Sequence, residues 1–136
     1  MIPNEVTLID FPKILDPRGN LSFLQNNAQI PFEIQRVYWI YDVPGGEQRG
    51  GHAYRTLQEI IIALSGSFDV VIYDGVKERR ISLNRSYYGL YVPKMLWRHL
   101  ENFSTNSSAF IVADQPYDEN DYIRDIKEFQ REKIDQ

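Results

Sequence analysis

His52 is one of only two histidines in the 136-residue sequence. It stands in the run Arg49-Gly-Gly-His-Ala-Tyr-Arg-Thr-Leu-Gln-Glu59, just ahead of the apolar stretch Ile60-Ile-Ile-Ala-Leu64. An imidazole changes charge near neutral pH, a guanidinium is a fixed cation, and a phenol donates a proton or a hydrogen bond. Arg49, His52 and Tyr54 at the entrance to a strand therefore point to a polar-ligand site with acid–base chemistry. The other histidine, His99, directly follows Arg98. On a strand the two side chains take opposite faces, so a cavity facing Arg98 excludes His99.

The composition closes off other chemistries. With no cysteine there is no disulfide, thiolate metal ligand or cysteine nucleophile. A net charge of −4 argues against non-specific nucleic-acid binding but leaves room for a local basic pocket. Met1-Ile-Pro-Asn-Glu5 lacks the basic-then-apolar pattern of a signal peptide, and no apolar run reaches membrane-spanning length. The expectation is a soluble cytoplasmic protein that engages no membrane.

These residues need a scaffold. Residues 1–136 suffice for a single domain with a real core, and 43% hydrophobic content argues against disorder. Nine tyrosines, seven phenylalanines and two tryptophans favour strands. Asp16-Pro-Arg-Gly-Asn20 reads as a tight turn, and a strand is expected to start over Leu21-Ser-Phe-Leu24. Arg36 to Val43 reads as a strand broken by Pro44-Gly-Gly46. Glu59 to Leu64 and Phe68 to Tyr73 are expected to form a hairpin through Ser65-Gly-Ser67. Asp74-Gly75 marks a second hairpin, leading to a strand near Arg79 to Leu83. Tyr88 to Val92, Trp97 to Asn102 and Ser108 to Ala113 add further strands, a spacing typical of an antiparallel sandwich or jelly roll. From Asn120 to Lys133, Tyr122, Ile123, Ile126 and Phe129 recur at helical spacing, predicting one C-terminal helix on the sheets. Asp118, Glu119 and Asp121 near its start suit the helix dipole.

Two motifs carry a resemblance. Gly46, His52, Tyr54, Glu59 and Gly66 have the spacing of the first cupin motif, with Tyr54 in place of its second histidine. Pro93, Arg98 and Asn102 follow the second cupin motif, with Arg98 where a metal-binding histidine usually stands and Met95 where glycine is common. The resemblance implies an all-β, cupin-type jelly roll with a C-terminal α-helix. An arginine at a ligand position repels a cation, so no metal is expected.

A narrower resemblance spans nearly the whole chain. Asp16 to Gly19, Ile34 to Asp42, Arg49 to Ala53, Gly89 to Val92, Leu96-Trp97 and Tyr117 to Arg124 are similar to the sugar 3,4-ketoisomerases, small cupins acting on thymidine-diphosphate-4-keto-6-deoxyglucose. It implies a keto shift from C4 to C3 by base-assisted enolisation, without a cofactor, in deoxyamino-sugar biosynthesis. It also implies a dTDP-linked sugar substrate and a homodimer.

By this resemblance His52 is the catalytic base, and Tyr54 occupies the place of a second catalytic histidine. Arg18 and Arg98 border the sugar, and Tyr38, Tyr91 and Trp97 stack or pack against substrate. From their types and places, Arg49 is a candidate for the diphosphate and Glu59 for orienting a histidine or a sugar hydroxyl. A phenol of ordinary pKa near 10 is a poor base at pH 7 but a competent proton donor. Three outcomes stay open: His52 acts with help from Tyr54, the enzyme is slow, or the chain is a non-catalytic nucleotide-sugar binding cupin. A 3,5-epimerase is disfavoured, because no aspartate partner for the histidine is evident.

Overall fold

The computed structural model describes residues 5–136; the segment from Met1 to Asn4, which bears on the signal-peptide expectation, lies outside the described residues. In chain order the strands are β1 (Thr7–Asp10), β2 (Lys13–Ile14), β3 (Leu21–Ser22), β4 (Arg36–Tyr41), β5 (Arg49–Tyr54), β6 (Glu59–Ser65), β7 (Phe68–Tyr73), β8 (Glu78–Leu83), β9 (Tyr88–Val92), β10 (Trp97–Glu101), β11 (Ser108–Ala113) and β12 (Tyr122–Ile123). A short 3-10 turn, Glu119–Asp121, precedes β12, and helix α1 (Ile126–Ile134) follows it.

Two five-stranded antiparallel sheets face each other, in the orders β1-β9-β6-β11-β4 and β12-β5-β10-β7-β8. Strands β2 and β3 form a separate ribbon. This is the expected jelly roll. Alternation along each strand sends every second side chain between the sheets. Ile61, Leu90, Val70, Leu100 and Ile111 thus meet in the central core.

Both outer faces are also partly covered, which matters for the site. Phe11, Ile30 and Phe32 pack with Ile60, Ile62 and Tyr91 on the back of the first sheet. On the back of the second, Phe129 of α1 packs with Ala53, Met95 and Ile123.

Three expectations are corrected. Strands β6 and β7 have the expected boundaries but are not a hairpin: β6 pairs with β9 and β11, and β7 with β8 and β10. Ser65-Gly-Ser67 carries the chain from one sheet to the other. Gly66 sits at φ 66°, and an added Cβ would lie 2.5 Å from Ser104 Oγ, so the crossover needs both the freedom and the smallness of glycine. The Asp74-Gly75 hairpin, by contrast, joins β7 to β8 as read.

The C-terminal helix starts later than expected. Asp125, not the acidic group before it, caps α1 by accepting from the Lys127 N–H, with Glu128 three residues on in the arrangement of a capping box. Tyr122 and Ile123 are strand residues paired with Tyr54 and Ala53. Strand pairing with β5 overrides the helical period there. The strand after the Asp16 turn is also shorter than read, ending at Ser22.

Candidate active site

The signature run forms β5 and opens β6. Alternation on β5 sends His52 and Tyr54 between the sheets, while Ala53 turns outward against α1. Arg98 lies opposite His52 in the β5–β10 pairing. From the facing sheet, β6 contributes Glu59 and β4 contributes Arg36 and Tyr38. β12 closes one side with Tyr122. Together they enclose a cavity of about 350 Å³ at one end of the sandwich, where polar side chains replace the apolar packing of the core.

His52 packs edge-on against Tyr54, with ring centroids 4.8 Å apart, and at 5.0 Å against Tyr122. Its Nε2 is buried without a hydrogen-bond partner. Burial, followed by the positive charges of Arg98 and Arg124, lowers its pKa from 6.5 to about 3. At neutral pH His52 is therefore an unprotonated imidazole with an unengaged nitrogen in a cavity, the protonation state from which it can accept a proton.

Tyr54 is 1% exposed. Burial, the nearby Glu59 carboxylate and its bond to Tyr122 raise its pKa well above the ordinary tyrosine value. It is a proton donor here and not a base. Its hydroxyl donates to Tyr122 Oη at 3.2 Å. Tyr38, also raised by burial and by Glu59, donates to Glu59 Oε1 at 3.0 Å. Arg98 Nη1 stands 3.5 Å from Glu59 Oε2, and its Nε, Nη1 and Nη2 are buried without hydrogen-bond partners. Its guanidinium lies 4.9 Å from the Tyr54 ring centroid. Buried cationic N–H groups facing a cavity suit an oxygen that becomes negative during reaction. Arg49 is exposed at the rim of the cavity.

Six of the nine residues singled out from sequence thus meet in the cavity: His52, Tyr54, Tyr38, Arg49, Glu59 and Arg98. Three do not. Arg18 is bound by the turn it sits in, with its Nε and Nη2 both donating to the Asp16 carboxylate and its side chain 90% exposed. Tyr91 is buried on the back of β9, where its hydroxyl donates to Gln58 Oε1. Trp97 faces outward from β10 and packs on Phe129 of α1 at 5.9 Å. His99 faces away from the cavity as expected and contacts Glu101.

Three further charged or phenolic side chains line the cavity without a role assigned from sequence: Arg36, Tyr122 and Arg124. Arg36 shares the inward face of β4 with Tyr38, so alternation from Tyr38 would have found it. Its Nη1 is buried and unpartnered, and its guanidinium lies over the Tyr38 ring at 4.5 Å. Tyr122 and Arg124 were hidden by the helical reading of their segment.

The cupin fold commonly holds a metal, but this donor set does not fit one. Among the described residues no group of three or more His, Asp or Glu side chains is placed to bind an ion. Arg98, paired with His52 across β5 and β10 and 3.5 Å from Glu59 Oε2, holds a positive charge beside both residues and repels a cation.

The jelly roll with a polar cavity between its two sheets defines a small protein of the cupin fold. The model of the family described as FdtA: WxcM-like, C-terminal, matches residues 4–134, and the chain belongs to that family. It is 39% identical over 127 residues to a TDP-4-oxo-6-deoxy-alpha-D-glucose-3,4-oxoisomerase of Aneurinibacillus thermoaerophilus, covering 93% of this chain and 91% of that protein. A 3,4-ketoisomerase from Helicobacter canadensis superposes with a TM-score of 0.92 at 40% identity, over 95% of this chain and 97% of that one. A histidine-to-asparagine mutant of the 3,4-ketoisomerase QdtA from Thermoanaerobacterium thermosaccharolyticum, in complex with TDP-4-keto-6-deoxyglucose, superposes with a TM-score of 0.95 at 32% identity, over 99% and 98% of the two chains.

Proposed function

We propose that this chain isomerises a thymidine-diphosphate-4-keto-6-deoxy sugar to its 3-keto form. The observation that carries the reading is the neutral His52 imidazole, its Nε2 free inside a cavity shared with a protonated phenol and buried guanidinium groups. Family membership and the ketoisomerase relatives support it.

The C3 proton of the substrate is acidic because the C4 ketone accepts the electron pair. His52 takes that proton, and C4–O becomes an enolate oxygen facing Arg98. Tyr54 donates a proton to it, giving the enediol. The O3 hydroxyl gives its proton back to the Tyr54 oxygen, and return of the His52 proton to C4 completes the 3-keto product and restores both groups. Arg49 contacts the diphosphate, and Tyr38 and Glu59 hold sugar hydroxyls. Incubation with the 4-keto sugar nucleotide in deuterated water, followed by NMR, should show deuterium wash-in and a 3-keto product. No exchange and no product would rule the reaction out.

The second reading, a non-catalytic nucleotide-sugar binding cupin, draws on Tyr54 standing where the family signature has histidine. Thymidine diphosphate binding without any turnover would favour it.

We further infer a cytoplasmic homodimer. Ile14, Leu15 and Leu21 on the β2–β3 ribbon and Val37, Trp39 and Tyr41 on the outer face of β4 are all exposed. Such a display of apolar side chains suits burial against a second copy. Light scattering behind size exclusion should report twice the 16.0 kDa chain mass; a mass of one chain would remove the dimer.

A further inference from the structure

Tyr54 does not stand alone. β12 sets Tyr122 directly opposite it in register, and the two hydroxyls are hydrogen-bonded at 3.2 Å. Their ring centroids are 4.7 Å apart, and both rings pack on His52. Two phenols and one imidazole therefore form a closed triangle on one wall of the cavity. The charges around the two phenols differ. The Tyr54 phenol lies near the Glu59 carboxylate, which opposes negative charge on its oxygen, and under the Arg98 guanidinium, which favours it. Tyr122 carries the Arg124 guanidinium over its ring at 4.2 Å and has Arg36 as a charged neighbour. Arg124 is itself paired with Glu119, so what fits Tyr122 to act with Tyr54 is the hydrogen bond between the two hydroxyls, with Arg36 and Arg124 close by.

We propose that Tyr54 and Tyr122 work as a two-phenol proton relay that takes the part of the signature's absent second imidazole. The inference rests on the isomerase reading. As the C3 proton moves to His52, Tyr54 releases its proton to O4. The Tyr54–Tyr122 hydrogen bond reverses, and the Tyr122 proton moves to the Tyr54 oxygen. Tyr122 is left transiently as a phenolate between two guanidinium groups. The O3 hydroxyl then gives its proton to Tyr54, Tyr122 recovers its own, and His52 returns its proton to C4. Every proton is accounted for, both phenols are regenerated, and no outside oxidant or reductant takes part. Tyr122 acts through Tyr54, so its loss should lower turnover more than substrate binding.

The test is a double-mutant cycle on the full chain, read as kcat and KM for the 4-keto sugar nucleotide. Tyr122→Phe should lower kcat by about tenfold, a part of the usual general-acid contribution, with KM changed by less than about threefold. In a Tyr54→His background, where one imidazole can release and recover the proton unaided, Tyr122→Phe should change kcat by less than about twofold. Equal losses in both backgrounds, or no loss in the native one, would overturn the relay. If Tyr122→Phe lowers the unfolding midpoint, 3,5-difluorotyrosine at position 122 keeps the shape while making the phenol more acidic. kcat should then change by more than about twofold with KM held, and an unchanged kcat again overturns the relay. Wild-type protein inactive in the deuterium assay ends the isomerase reading and the relay together; active wild type with an indifferent Tyr122 ends only the relay.

Discussion

Arg98 Nη1 lies 3.5 Å from Glu59 Oε2, with side chains 1% and 2% exposed, so that a bare ion pair spans the two sheets beside His52. The guanidinium nitrogens have no hydrogen-bond partner. Such a pair gains little for stability, because desolvation offsets the attraction; it keeps a cation where substrate oxygen will need one.

Glu59→Gln leaves that guanidinium buried and uncompensated. It should destabilise the fold by about 3–5 kcal/mol, the range seen when one partner of a buried pair is removed. Adding Arg98→Met removes the stranded charge and should restore most of the loss, while leaving activity low. Urea unfolding of the two variants separates these outcomes. A double variant no more stable than the single one would contradict the pairing.

The His52 pKa makes a signed prediction about acid stability. In the unfolded chain the imidazole takes a proton as pH falls through about 6.5, whereas in the folded protein it stays neutral down to about 3. Between these values the unfolded state binds more protons. Stability from this group is complete above pH 6.5 and is lost as pH falls toward 3, by an amount on the order of a few kcal/mol. The urea midpoint should thus drop between pH 7.5 and 5 more steeply in wild type than in His52→Asn. The same depression should keep kcat/KM free of a limb near pH 6.5.

Tyr54→Phe keeps the buried ring and removes the proton. We expect kcat to fall by about 10²-fold or more, in the range for loss of a general acid, with KM little changed. Tyr54→His restores the signature and should retain or raise turnover. Initial rates of 3-keto product formation decide both; a fully active Tyr54→Phe would remove the phenol from the mechanism.

Arg55 is the clamp on the β12 side of the site. It bonds Glu132 and Glu128 of α1 and the carbonyls of Asn120 and Tyr122. Arg55→Met should cost about 2–3 kcal/mol, the scale of a few charged hydrogen bonds on a partly exposed side chain. It should also depress kcat, because the segment carrying Tyr122 is released. Denaturation and kinetics on the same variant check the two effects; stability lost with kcat untouched would disconnect the clamp from the chemistry.

How far the sequence could be read varies by element. His52, Tyr54 and Arg98 could be assigned to the cavity because motif spacing and strand alternation agreed on them. Tyr91 and Trp97 could not be assigned correctly, since both sheets are covered on the back as well as the front. An aromatic side chain is equally at home on either face of such a strand. Arg18 was matched by its turn, yet the turn itself holds the guanidinium against Asp16. Tyr122 was assigned to a helix because Tyr122, Ile123, Ile126 and Phe129 do repeat at helical spacing, although two of the four are in β12.

What this amino-acid order determined by itself is local: that most of the chain runs as short strands, that one helix closes it, and that a histidine, a phenol and an arginine pair belong to one site. Tertiary structure alone decided that Ser65-Gly-Ser67 changes sheets instead of turning a hairpin, and that Tyr122 comes to lie against Tyr54. A period of two says that a strand has two faces. It does not say which other strand will satisfy its backbone, and that pairing, set by the burial of both sheets at once, brought the second phenol to the first.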